Sequence, residues 1–272
     1  MKCLVNCNVQ IKLKGGNLMK LRIVDMIKQY VKKYEKRQGI ETSWREPIVE
    51  FADADDKLFN HLKSIVSSNH ALPEDLLKDA KTVITYFIPF QKAIAESNIE
   101  GKYSSRKWAV AYVETNKLIS DLNQYLKNEL EKLNYNAALI PATHNFDEER
   151  LISNWSHRHI AYIAGLGNFG INNMLITEKG CCGRVGSLVI NIDMEVSNRV
   201  EQEYCLNKQG ERCQKCVNRC INGALGVKSF DRHKCYELLL ENDKLYSELD
   251  LTDACGKCCV DLPCSFINPV QG

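Results

Sequence analysis

The sequence has no apolar run approaching ~18 residues, so it predicts no membrane-spanning helix. Nor does it open on an apolar core followed by a small-residue cleavage site, so no secretory leader is expected. Charge of either sign is hardly in excess: 36 Lys and Arg stand against 34 Asp and Glu, a net charge of +2. That leaves no global electrostatic case for nucleic acid or for an acidic partner. No low-complexity tract is present, and no repeat beyond two cysteine runs. Hydrophobic content is 44% and charged content 26%, ordinary for a soluble globular chain. A length of 272 residues is enough for one large domain and one small one.

Cysteine is what the sequence has in excess, at 13 residues. Without a leader the expected location is the reducing cytoplasm, where thiols serve as metal ligands or catalytic groups more often than as disulfides. Nine lie from Cys205 onward: Cys205, Cys213, Cys216, Cys220, Cys235, Cys255, Cys258, Cys259 and Cys264. Their cores are Cys213-Gln-Lys-Cys216-Val-Asn-Arg-Cys220 and Cys255-Gly-Lys-Cys258-Cys259-Val-Asp-Leu-Pro-Cys264. A CxxCxxxC run suits two [4Fe–4S] clusters, since in two-cluster ferredoxins the last cysteine of each run ligates the other cluster. A structural zinc site usually takes CxxC-type pairs set apart along the chain. A zinc- or cluster-stabilised binding module without redox turnover stays as the alternative from another class. The charges of this region nearly balance, unlike the acidic surface of a free electron carrier.

Three regions are expected. Residues 1–18 read as a loose arm, with Cys3 and Cys7 as bystanders. Residues 19–198 read as an α+β body, and 199–272 as the cysteine domain. Leu21 to Lys36 predicts an amphipathic helix with a solvated basic face. Pro47 to Ala52 is extended. Asp53 to Val66 reads as a helix capped by Asp53 or Asp55, and Pro73 to Ala80 as another. Thr82 to Ile88 is β-branched and apolar, a strand buried on both faces and stopped by Pro89. A loop over Glu96 to Ser105 precedes a long helix from Trp108 to Leu133. Tyr135 to Ile140 and Arg184 to Ile192 read as strands, and Arg150 to Ala164 as a helix. Cys181 and Cys182 are expected as turn residues.

Gly165-Leu-Gly167-Asn-Phe-Gly170 is literally GxGxxG. A dinucleotide fingerprint needs a strand before it and a helix after it. Here a helix precedes and a turn into a strand follows, so NAD binding is rejected. The glycines still mean tight backbone geometry, as a structural turn or beside a bulky ligand.

Ile163-Ala-Gly-Leu-Gly-Asn-Phe-Gly-Ile-Asn-Asn173, a strand carrying Gly186-Ser187 and the paired cysteine runs together resemble epoxyqueuosine reductase and its shorter relatives. The resemblance covers most of residues 45–268 and extends to reductive dehalogenases. It implies a nitroreductase-like body holding base-off cobalamin, followed by a ferredoxin-like double-cluster module. Cofactor contacts would fall at Gly165, Gly167, Asn168, Phe169, Gly170, Asn172, Asn173 and Ser187. One cluster would take Cys205, Cys213, Cys216 and Cys264. The other would take Cys235, Cys255, Cys258 and the crossed-over Cys220, with Cys259 spare. An external low-potential donor, a flavodoxin or ferredoxin, would supply electrons. An electron-transfer protein that reduces a corrinoid partner is a second function of the same parts.

The sequence departs from the family in three places. Ile221 follows Cys220, and Pro263 precedes Cys264, where the family has proline after each run. The family's acidic proton donor falls here at Leu151, which leaves Asp147, His157 and His159 as candidate catalytic groups. The full-length family enzyme continues into a helical-repeat domain that helps hold tRNA, whereas this sequence stops at Gly272. tRNA is therefore one candidate substrate among others.

Overall fold

The structure is a computed structural model and describes residues 15–141 and 146–271. Cys3, Cys7 and most of the expected arm lie outside the described residues. In chain order the elements are α1 (Gly15–Tyr34), β1 (Ile48–Asp53), α2 (Leu58–Ile65), α3 (Pro73–Leu76), β2 (Thr82–Pro89), α4 (Lys92–Ser97) and α5 (Arg106–Glu131). Then come β3 (Ala137–Ala138), β4 (Phe146–Asp147), β5 (Ile152–Ser153), α6 (His157–Ile163), β6 (Asn168–Phe169), β7 (Leu175–Ile176) and β8 (Gly183–Ile190). The cysteine region adds α7 (Lys215–Asn218), α8 (Arg232–Leu245) and a short 3-10 turn at Lys257–Cys259.

The main sheet has the order β1-β2-β8-β3, and its strand pairs are antiparallel. β2 is buried along its whole length because β1 and β8 flank it and helices cover both faces. Alternate side chains divide between the faces, as a pleat requires. Ile84, Tyr86 and Ile88, with Leu188 and Ile190, pack under α1 and α5 against Ile23, Ile27, Leu118 and Leu122. Val83 and Val189 pack on the other face against Phe59, Leu62, Ile160 and Ile163 of α2 and α6. The body is thus a mixed helix-and-sheet layer structure. Its first core runs on into the cysteine region through Tyr204, Cys205, Ala254, Cys259 and Val260.

Several expected elements are shorter, and the reasons are local. The Asp147 carboxylate accepts from the amides of Glu149 (3.1 Å) and Arg150 (2.8 Å), and Leu151 turns to φ 52°. Such an aspartate turn competes with helix formation. Residues 146–153 therefore make the β4–β5 hairpin, and the helix expected from Arg150 begins only at His157. α2 starts at Leu58 rather than Asp53; neither Asp53 nor Asp55 caps it, and Asp56 Oδ1 takes the Leu58 amide. α3 stops at Leu76. β3 is only two residues long, meeting β8 at Val189 and Ile190. α4 was expected as loop in part. α5 begins where Ser105 Oγ accepts from the Trp108 amide at 3.1 Å. Among the described residues no helix is long and apolar enough to cross a membrane.

Candidate functional site

The cysteine region is short of regular structure, so its thiols are placed by turns and by contacts with the body. Cys205, Cys213, Cys216 and Cys264 line one solvent-open cavity. Gly170, Ile171 and Asn172, from the end of the glycine turn, form part of the same wall. Burial pushes the Cys216 thiol up to about 12, and the neighbouring charges of Cys264, Cys205 and Cys213 add to the rise. A second group forms around Cys235, pushed up to about 11 by burial and then by the charges of Cys255, Cys220 and Cys259. The chain thus brings Cys264 to the earlier run and Cys220 to the later one. Cys220 Sγ also accepts from the Leu225 amide at 3.3 Å.

Cys258 packs against the apolar group of Cys216, Leu225 and Leu262 and also against the body core, in which Cys259 lies with Cys181 and Cys182. All eleven described cysteines are free thiols. Among the described residues, no group of three or more His, Cys, Asp or Glu is arranged to hold a single metal ion.

Residues not anticipated from the sequence fasten this region to the body. Lys257, only 1% exposed, donates from Nζ to Asn98 O (2.9 Å) and Glu100 O (2.6 Å). Arg219 Nη2 donates to Ile99 O at 2.6 Å, so two cations bind one carbonyl-rich loop. The Asn98 side chain returns a bond to Cys255 O (2.9 Å), and Asn172 Nδ2 donates to Cys258 O (2.8 Å). Asn242 of α8 accepts from the Ser104 amide (2.7 Å) and Ser104 Oγ (2.8 Å). A lysine inside CxKC gives no sequence signal of burial, since lysine is almost never fully buried unless paired.

The glycine turn becomes the β6–β7 ribbon. Gly165 has φ 82°, and a Cβ there would lie 2.3 Å from Asn198 O. At Gly167 a Cβ would lie 2.0 Å from Ile176 O. Both glycines therefore admit the chain's own backbone. At Gly170 the nearest atom is Asn172 Oδ1, at 2.6 Å. Asn172 is further held through Oδ1 by the Met174 amide, at 3.2 Å. Asn168 is buried with Oδ1 lacking a partner. Phe169 is half-buried between the rings of His159 (4.8 Å) and Tyr162 (6.0 Å). The Asn173 carbonyl accepts from Arg158 at 2.6 Å.

Ser187 sits in the core and joins two of the body's polar side chains. Trp155 Nε1 donates to Ser187 Oγ (2.9 Å), and Ser187 Oγ pairs with His157 Nδ1 (2.7 Å). His157 Nε2 lies 3.1 Å from the Pro141 carbonyl, which fits a proton on Nε2 and a hydroxyl donating to Nδ1. His159 is held through Nδ1 to Ser156 Oγ at 2.7 Å. Burial, with help from the Arg158 and His70 charges, lowers its pKa to about 4, so it is neutral near pH 7. The Asp147 carboxylate is engaged in its turn, and Leu151 brings no titratable group to the hairpin. The three candidate catalytic residues thus occupy a hairpin and the start of α6, each with partners.

The donor chemistry fits iron–sulfur clusters: four thiols line one cavity, and a second set surrounds Cys235. Of the eight residues assigned to a corrin, Gly165, Gly167, Asn172 and Ser187 meet the protein's own atoms, and Asn168, Phe169, Gly170 and Asn173 are the remaining four.

The architecture is that of the epoxyqueuosine reductases and reductive dehalogenases. Epoxyqueuosine reductase from Streptococcus thermophilus superposes with a TM-score of 0.59 over 91% of this chain and 66% of that one, at 16% identity. An epoxyqueuosine reductase with an epoxyqueuosine-modified tRNA-Tyr stem loop gives 0.53 over 93% and 72%, at 16% identity. A catabolic reductive dehalogenase gives 0.53 over 89% and 32%, at 15% identity. This chain therefore spans 66% of the Streptococcus enzyme's length. No protein-family model and no curated protein matches the sequence.

Proposed function

We propose that this protein is a cytoplasmic iron–sulfur oxidoreductase of the epoxyqueuosine reductase type, with a nitroreductase-like body and a ferredoxin-like module of two [4Fe–4S] clusters. Cys205, Cys213, Cys216 and Cys264 would hold one cluster; Cys220, Cys235, Cys255 and Cys258 would hold the other. The observation that carries this reading is the exchange of Cys220 and Cys264 between the two thiol groups. That arrangement is expected of a two-cluster ferredoxin motif. Clusters so held supply one-electron transfer at potentials set by burial and by hydrogen bonds to sulfur. The chain's own residues lock the module against the body through Lys257, Arg219 and Asn98. A flavodoxin or ferredoxin would deliver electrons, and a corrinoid would receive them. Substrates of the class in the tRNA-bound relative follow on this reading.

One observation favours a second reading, an electron-transfer protein whose corrinoid is carried by a partner. The glycine turn receives the chain's own backbone at Gly165 and Gly167, where a corrin cradle was expected. Iron, sulfide and cobalamin analysis of anaerobically reconstituted protein tests both. About eight irons per chain are expected. Cobalamin bound by the chain alone supports the reductase; none bound, with full iron, supports the electron carrier. A colourless protein holding one or two zinc ions overturns both.

A further inference from the structure

Three arginines from separate elements stand around the second thiol group, and none of them has a carboxylate partner. Arg158, the second residue of α6, donates from Nη1 to Asn173 O at 2.6 Å and to Met174 Sδ at 3.5 Å. The neighbouring Asn172 donates to Cys258 O at 2.8 Å, so the ribbon holds Arg158 beside a loop assigned to that group. Arg184, at the start of β8, has its guanidinium 4.2 Å from the centre of the Tyr112 ring. The Tyr112 hydroxyl donates to Asp253 at 2.6 Å, two positions before Cys255. Arg232 opens α8 three positions before Cys235, and its Nη1 donates to Arg150 O at 2.9 Å.

Among the described residues Arg37, Arg106, Arg199 and Arg219 form ion pairs, whereas Arg158, Arg184 and Arg232 form none. The acids that adjoin them are engaged: Asp253 accepts from Tyr112, and Asp231 accepts from the Lys234 amide to cap α8. Each guanidinium carries five N–H donors and uses at most two of them here, so most of the fork stays open. Arg158 and Arg232 are exposed, and Arg184 is half-buried. The surrounding protein, and then the charges of Arg184 and Arg232, lower the Arg158 pKa. Arg158 is thus open to solvent and walled by protein at once, as in a cleft. Like charges gathered without a counter-charge are unfavourable. Guanidinium forks match carboxylate and phosphate oxygens in bidentate geometry.

We propose that Arg158, Arg184 and Arg232 bind the oxyanion of a substrate, a carboxylate or phosphate ester group, and hold it beside the second thiol group. The cavity of the first group has Lys215 as its one charged lining residue, so an anionic acceptor is selected at the second group. That this acceptor receives electrons there rests on the two-cluster reading above. The anion binding itself follows from the arginines alone.

The test uses full-length protein reconstituted anaerobically, with iron assayed in each preparation. Inorganic phosphate, succinate and a short RNA stem loop are titrated by calorimetry at low salt. The proteins are wild type, Arg158→Gln, Arg184→Gln, Arg232→Gln and, as a control on α1, Arg22→Gln. The three site variants are expected to keep their iron and to bind the oxyanion about tenfold more weakly, while Arg22→Gln binds as wild type does. Arg158→Lys, which keeps the charge but loses the planar fork, should fall between wild type and Arg158→Gln. This pattern with phosphate and succinate, and a stem loop bound no more tightly, assigns the site to a free small molecule. The same pattern with a stem loop bound more tightly assigns it to a phosphate of an RNA backbone. Wild type with full iron and no oxyanion binding overturns the proposal. So does equal weakening in Arg22→Gln, which would make the binding a general surface effect. Loss of iron from all three site variants overturns it as well, since the arginines would then be structural. Wild type that takes up no iron overturns the cluster reading, and its phosphate and succinate titrations still decide the anion site.

Discussion

The sheet body and the cysteine module are held together by different physics. In the body, β2 is buried along its length, and both faces of the sheet meet apolar side chains from helices. Burial of that kind is non-directional and sums over many contacts. The module's own apolar cluster is built on three buried residues, Cys216, Leu225 and Leu262. It relies instead on directed bonds to the body, on thiols that approach one another, and on one lysine buried to 1% exposure. The body's cohesion thus comes from its own apolar packing, whereas on the proposed cluster reading the module's order would be linked to what its thiols bind.

The largest expected effect separates the two regions outright. Cys220→Ala should remove about half the iron, and the cluster lost should be the one that Cys235 holds, not the one beside Cys213 and Cys216. Iron assay with EPR of Cys220→Ala and Cys235→Ala checks it: matching residual spectra are expected. A Cys220→Ala spectrum matching Cys213→Ala would break the crossed arrangement. Amide exchange should at the same time show the module opening while β2 and β8 stay protected.

A smaller effect is expected at the fastening between the regions. Lys257→Met keeps the bulk but leaves the Asn98 and Glu100 carbonyls without their donor, a loss of about 2–3 kcal/mol. Exchange and limited proteolysis should then report opening at residues 98–100 and 255–259. An unchanged protection pattern would mean that Arg219 alone holds this contact.

The smallest effect lies in the body. The folded pKa of His159, about 4, is below its ordinary 6.5, chiefly because burial disfavours the imidazolium. A depressed histidine contributes stability that is present above the unfolded value and lost as pH falls from about 6.5 towards 4. Burial of His70 lowers its pKa as well, which adds to the same loss. His159→Gln should remove about 1–2 kcal/mol of the acid-side decline, read from urea midpoints at pH 7 and pH 5. A decline of the same size in His159→Gln would assign it to other groups.

The sequence by itself determined the periodic and the compositional features. The central strand, the 26-residue α5 and the boundary of the cysteine region follow from apolar patterning and from a change in composition. Spacing alone grouped the cysteines into runs, and the order around Gly165–Gly170 ruled out a dinucleotide fold. Patterning could not find the β4–β5 hairpin, because an aspartate turn and a left-handed Leu151 override helical periodicity over a few residues. The tertiary structure alone decided which partners occupy the space beside each glycine, since only folding brings Asn198 and Ile176 there. It also decided that the apparently idle Cys181–Cys182 turn lies against Cys264, and that Lys257 is buried on carbonyls 157–159 positions earlier in the chain. Such pairings are set by chain topology and close packing, and neither is encoded within a local window of residues.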